Sequence, residues 1–397
     1  MPPFTTVTSP STRPASAGRR GLLALATAAA VALGGLSLSP APAAADTAPR
    51  TGPADNVQTS LNDLVRGGGF PAALAAVRGR DGRTRDYTAG VADLKTRAKV
   101  PVNGRVRVGS NTKMFVAVVV LQLAGEGKID LDASVEEYLP GLIRGNGNDG
   151  RNITVRQLLR HTSGLPDYAK DASLFFEFQH RYLEPRELLD RGLAQKPVAA
   201  PGEKWSYSNT NYVVLGLLVQ KVTGRPIGEE VTGRIIKPLG LRDTYWPGLG
   251  EQGIRGAHPR GYASTGPASM VDVTRMDPSM AWAAGQLIAA PRDVNGFLVA
   301  LLGGELLKPA QLEEMKQTVE MPASPAGWGY GLGLMKVKLS CGGHAWGHGG
   351  DIPGYETRNA VTEDGRSATV AVTSLPGTPA AGQQVDAALD TALCPGR

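Results

Sequence analysis

The sequence predicts an α/β (α+β) fold: an antiparallel sheet built from the N- and C-terminal segments, flanked by helices, with an all-helical lobe inserted between them. Three observations carry this. Strand-like runs with hairpin turns cluster at the two ends of the chain. Residues 128–240 instead hold short amphipathic segments punctuated by Pro140, Pro185, Pro201 and Pro238. Between these regions, Met114 to Leu123 is apolar all round and reads as a buried helix. With 397 residues and 42% hydrophobic content, the chain can bury a large core as one domain or two lobes.

Residues 1–45 combine Arg13, Arg19 and Arg20 with an apolar stretch from Gly21 to Leu36 and the small residues Ala43-Ala44-Ala45, which reads as a secretory signal peptide. The stretch is short for a membrane span. Removing its three arginines lowers the formal charge from +6 to +3, too little to argue for nucleic acid. No later segment is apolar enough to span a membrane, so a secreted, monomeric protein is expected. Residues 46–54 read as a Pro/Ala/Gly linker, and Asn56 to Val65 as an amphipathic helix.

Ala72 to Val77 and Arg85 to Val91 read as strands joined through Asp81-Gly82, the charge run from Arg78 to Arg85 being a solvated hairpin. Arg105 to Gly109 leads into the central helix. Helices are expected over Val155 to Arg160, Arg186 to Gln195 and Tyr212 to Val222. Strands return at Tyr330 to Leu339, His344 to Gly347, Tyr355 to Thr362 and Ser367 to Ser374, with a turn at Asp364-Gly365, and Ala381 to Leu393 closes the chain as a helix. The active site is expected between the two lobes. Cys341 and Cys394, the only cysteines, are expected to form one disulfide in an oxidising compartment, two buried thiols being the alternative.

Ser110-Asn111-Thr112-Lys113 is the only S-x-x-K in the chain. A spacing of three is nearly one helical turn, so the amine of Lys113 projects along the same face as the Ser110 hydroxyl. An apolar surround favours the neutral, proton-accepting amine that a weak serine nucleophile needs. Tyr207-Ser208-Asn209, the only Y-x-N, precedes a helical run and would place a proton-relaying phenol and a carbonyl-holding amide in a cleft. Alone, it fits better an ordinary helix start capped by Asn209 with Tyr207 partly buried. Trp346-Gly347-His348-Gly349-Gly350-Asp351 follows a strand, and its glycines would let a substrate backbone approach. His344 and His348 lack the context of a zinc motif, and His161, His180 and His258 lack ligand spacing, so no metal or other cofactor is expected.

The order S-x-x-K, Y-x-N, H-x-G resembles the signature of the penicillin-recognising serine hydrolases, of class C β-lactamase-like type. Arg107-Val108-Gly109, the run L-L-R-H-T-S-G-L from Leu158 to Leu165, S-Y-S-N-T-N-Y from Ser206 to Tyr212, Y-G-L-G-L from Tyr330 to Leu334 and Cys341 are similar to the secreted D-alanyl-D-alanine carboxypeptidases of that family. The resemblance covers residues 55–397 as one catalytic domain. It implies that Ser110 attacks the carbonyl, that Lys113 and Tyr207 share proton transfer, and that Asn209 orients the substrate amide. It also implies that His348 stands in place of a lysine and that the N–H groups of Ser110 and Asp351 form the oxyanion hole; Trp282 resembles a cleft-wall residue, with core filler as the equal alternative. Implied partners are peptidoglycan stem peptides as substrates and β-lactams as covalent inhibitors.

The pattern departs where those carboxypeptidases hold the substrate's terminal carboxylate. Met335 stands at the arginine position, and Gly349 and Asp351 replace hydroxyl residues. Strand alternation puts Lys336 and Lys338 on the face opposite Met335. The expectation is an intact acylation centre with weakened carboxypeptidase specificity, open to amides, esters or D-amino-terminal peptides. The nearest alternatives are a β-lactamase and a catalytically silent penicillin-binding module.

Overall fold

The computed structural model describes residues 53–170, 174–266, 269–322 and 324–395. The expected signal peptide and most of the expected linker lie outside the described residues. The first helix starts inside the expected linker, at Pro53, and runs to Arg66.

The sheet has eight strands: β1 (Ala72–Arg78), β2 (Thr84–Gly90), β3 (Val319–Glu320), β4 (Gly329–Tyr330), β5 (Met335–Lys338), β6 (His344–Ile352), β7 (Tyr355–Thr362) and β8 (Ser367–Val372). Their spatial order is β2-β1-β8-β7-β6-β5-β4-β3, and every neighbouring pair is antiparallel. The N- and C-terminal segments meet at the β1–β8 pair, where Ala73 faces Val372 and Ala75 faces Val370. Side chains alternate across this pair. Ala73, Ala75, Val370 and Val372 pack under the two terminal helices, Pro53–Arg66 and Pro379–Leu393, while Leu74 and Ala371 join the main core on the other face.

The helix Thr112–Gly125 is the centre of that core. It is apolar on every side, and Met114 to Leu121 are fully buried, as a helix without a polar face must be. Asn209–Thr223 packs beside it. Pro291–Leu302 lies between it and the sheet, with Phe297 stacked on Phe115 at 3.9 Å. Asn295 fixes that helix to the sheet by donating to Ala76 O (2.9 Å) and accepting from Thr369 Oγ1 (2.8 Å).

Two local expectations change. The run Tyr330 to Leu339 is a hairpin, not one strand: Gly331 N–H donates to Leu334 O and turns the chain between β4 and β5. The strand expected to stop at Gly347 continues to Ile352, because β7 pairs with the glycine-rich stretch residue by residue. Short ladders such as Val106–Arg107 with Ile288–Ala289, and Tyr262–Gly266 with Ser269–Asp272, have too few residues to show alternation in sequence.

Cys341 and Cys394 form a disulfide with Cα atoms 5.6 Å apart, tying the β5–β6 turn to the end of the last helix. Among the described residues, no helix is long and apolar enough to cross a membrane.

Candidate active site

Ser110 sits in the single turn Gly109–Asn111 that leads into the buried helix. Gly109 has φ +50°, and a Cβ there would meet the backbone N and O of Asp351 at 3.0 Å. Only a glycine lets strand β6 come this close to the nucleophile. The turn is anchored from below by Asn111, whose amide donates to Val108 O (2.8 Å) and Thr357 Oγ1 and accepts from Asn359 Nδ2.

Lys113, one turn on, is fully buried, and its Nζ lies 2.9 Å from Ser110 Oγ, 2.8 Å from Asn209 Oδ1 and 2.7 Å from Ala284 O. Burial lowers its pKa to about 7, against an opposing pull from the Asp167 and Asp351 carboxylates. Two of the three partners can only accept. Once neutral, the amine therefore gives its two hydrogens to Asn209 and Ala284 and turns its lone pair to the Ser110 hydroxyl. That is the geometry of a general base on a nucleophile.

The Tyr207 hydroxyl is 2.7 Å from Ser110 Oγ. Burial pushes its pKa well above the usual value despite the hydrogen bond to Ser110, so it is a neutral phenol able to give a proton rather than a phenolate. Asn209 opens the helix Asn209–Thr223, with Ser208 rather than Asn209 at the cap position. Its amide is engaged at both ends: Oδ1 accepts from Lys113, and Nδ2 donates to the Asp167 carboxylate at 3.1 and 3.2 Å. Asn209 thus orients Lys113. Asp167 carries no motif in the sequence that would mark it.

His348 is buried in β6 with Nε2 2.9 Å from Tyr330 OH and Nδ1 against Gly349 O. Burial, then the positive charge of Lys113, lowers its pKa to about 3, so it is neutral, unlike a lysine at that place.

These groups open onto a cavity of about 470 Å³ lined by Ser110, Tyr207, Asn209 and His348, with apolar surface from Met335, Trp328 and Leu389 and carboxylates from Asp351, Asp386 and Asp390. Arg358 crosses over Gly349, where a Cβ would meet its Nη1 at 3.1 Å. Its guanidinium is paired with Asp351 (2.7 Å), Glu356 (2.7 Å) and Asp386 (2.9 Å). Burial acts to lower the Arg358 pKa, but the three carboxylates outweigh it and hold the residue charged. Lys336 lies on the face opposite Met335, over the Trp346 ring, as alternation requires. Lys338, at the end of β5, departs from that expectation and lines the cavity.

Trp282 lies elsewhere. It lines a separate cavity with Trp246 and Gln286, because its ring packs against Gly216 of the Asn209–Thr223 helix and its backbone takes φ +34°. Its stretch reaches the centre through the main chain, by the Ala284 carbonyl that receives Lys113.

Comparison with known proteins identifies the family and fold. A D-stereospecific amidohydrolase from Streptomyces sp. is similar at 42% identity over 84% of this chain and 97% of that one, with a TM-score of 0.77. A D-amino acid amidase from Ochrobactrum anthropi SV3, complexed with L-phenylalanine amide, is similar at 27% identity over 85% and 98% of the two chains, with a TM-score of 0.74. Protein flp of Staphylococcus aureus (strain MW2) is 29% identical over 191 residues, 47% of this chain, and the match spans only 37% of that protein's length. The family model described as Beta-lactamase matches residues 54–393. The chain, with its serine, lysine and tyrosine joined in one hydrogen-bonded centre, belongs to the beta-lactamase family.

Proposed function

We propose that the protein is a secreted serine hydrolase that forms an acyl-enzyme on Ser110 and acts as an amidase or esterase on D-amino acid substrates lacking a free terminal carboxylate. Lys113 accepts the Ser110 proton as Oγ attacks the carbonyl carbon. The N–H groups of Ser110 and Asp351 hold the developing oxyanion, a role in which one donor is typically worth about 3 kcal/mol. Tyr207 gives its proton to the leaving amine or alcohol and regains the one that Lys113 took, so both are neutral again; water then attacks the ester, losing a proton to Lys113 that returns to Ser110 Oγ as the acid leaves.

The observation that carries the leaving-group choice is Arg358. Among the described residues, the one arginine lining the cavity is already paired with Asp351, Glu356 and Asp386, and Asp390 adds further negative charge, so a carboxylate entering there meets repulsion. The names of the two similar enzymes support the same substrate class. Lys338 favours a second reading, D-Ala-D-Ala carboxypeptidase, because its ammonium can reach the same cavity. Comparing kcat/KM on a diacyl-D-Ala-D-Ala peptide with that on its C-terminal amide decides between them: amidase action predicts preference for the amide, and a strong preference for the free acid refutes it.

A further inference from the structure

His161 closes the helix Val155–Arg160 in the left-handed region, at φ 62°, where a helix end ordinarily takes glycine or asparagine. A buried imidazole in that conformation is held by its surroundings. Those surroundings are the Tyr207 loop. The His161 carbonyl accepts from Ser206 N–H (2.9 Å), Nδ1 accepts from Ser208 N–H (3.3 Å), and the imidazole ring lies 4.4 Å from the Tyr207 ring. One residue therefore grips the chain on both sides of the phenol and packs on the phenol itself.

The same ring has only one consistent tautomer. Asn211 Nδ2 also faces Nδ1, at 3.0 Å, and its orientation is set by Ser163 Oγ–H donating to Asn211 Oδ1. Both neighbours of Nδ1 are donors, so the proton is on Nε2. Nε2–H donates to Tyr330 OH at 3.2 Å, and of the two acceptors beside the Tyr330 hydrogen, the Tyr212 hydroxyl and His348 Nε2 at 2.9 Å, the chain takes His348. His348 then carries its proton on Nδ1, facing Gly349 O.

We propose that His161, Tyr330 and His348 form a one-directional hydrogen-bond chain joining the Tyr207 loop to the glycine-rich strand β6, with His161 and Tyr330 as positioning residues for proton transfer at Ser110. The chain requires both imidazoles to be neutral. The charged and titratable groups around them are Lys113, Tyr207, Tyr212, Tyr330 and Arg358. Burial and the Lys113 charge hold His161 well below the usual histidine range, and His348 is held down by the same causes. The proposal rests on Tyr207 serving Ser110, and not on which leaving group the enzyme prefers.

Nitrogen NMR of the histidine-labelled wild-type chain tests the wiring without using activity. His161 is expected as the Nε2–H tautomer and His348 as the Nδ1–H tautomer, both unprotonated between about pH 5 and 8. Spectra of His161→Asn and His348→Asn assign the signals. The opposite tautomer at either ring, or titration within that range, overturns the proposal. Tyr330→Phe keeps the ring and deletes the hydroxyl: kcat on an activated ester is expected to fall about tenfold with KM changed by less than about twofold. The His161→Asn/Tyr330→Phe double variant is expected to lose no more than the worse single variant, as for residues acting as one unit. Wild-type kcat in Tyr330→Phe, or losses that multiply, overturn it. If the wild type itself forms no acyl-enzyme, the reading of Ser110 fails instead, and the tautomers still decide the chain.

Discussion

The amine of Lys113 lies 2.8 Å from Oδ1 of Asn209, so the S-x-x-K and Y-x-N motifs are joined by a hydrogen bond inside the protein. Asp167 holds the other end of the same amide. The base is thus aimed by a neutral amide whose own orientation is set by a carboxylate, and its pKa is a balance between burial and nearby negative charge.

That balance predicts the acid limb of the pH–rate profile. Lys113 must be neutral to act, so kcat/KM should rise with pH through about 7 and be lost below it. Asn209→Asp adds negative charge beside the amine, favours its protonated form and moves the limb to higher pH. Asp167→Asn removes such a charge and moves it to lower pH. Profiles of the three proteins check the sign, and Lys113→Ala should lower kcat by about 10³-fold.

Arg358 predicts a stability effect separate from chemistry. Arg358→Met would leave the fully buried Glu356 without its cation, and above about pH 7, where Glu356 is ionised, breaking such a pair typically costs about 3 kcal/mol. Denaturant unfolding measures it.

Glu356 adds a pH dependence of opposite sense to that of an ordinary ion-paired acid. Burial raises its folded pKa from 4.5 to about 7, against the pull of Arg358. Between those values the folded state binds more protons than the unfolded state, so this group makes stability fall as pH rises through the window. Glu356→Gln should flatten that part of the curve, measured as unfolding midpoint against pH.

The disulfide closes a loop with a sequence separation of 53. On the chain-entropy view, the double variant Cys341→Ser/Cys394→Ser should lose about 4 kcal/mol of stability. Leu339, Leu389 and Asp390 line the cavity beside this link, so KM is expected to rise as well. Unfolding and steady-state kinetics of the variant check both.

The sheet was legible in the sequence because strand-like apolar runs with hairpin turns lie at both chain ends, and the buried helix because Met114 to Leu123 has no polar face. The hairpin after Tyr330 was not, since Gly331 reads as part of a strand until its bond to Leu334 is seen. Ser110, Lys113 and Tyr207 stand in motifs whose spacing carries chemistry. Asp167, Ala284 and Arg358 are brought to them by tertiary packing from segments without such spacing. His161 lies within L-L-R-H-T-S-G-L, where its spacing to other histidines says only that it is no metal ligand. Its left-handed backbone and its hold on the Tyr207 loop appear only in three dimensions.

The most direct measurement of the central claim is intact-protein mass spectrometry after rapid mixing with a D-aminoacyl ester or a penicillin, followed by peptide mapping. The account predicts one covalent acyl group, on the peptide containing Ser110, absent in Ser110→Ala and slowed in Lys113→Ala. Turnover with no acyl group on Ser110, or an adduct that survives in Ser110→Ala, would contradict it.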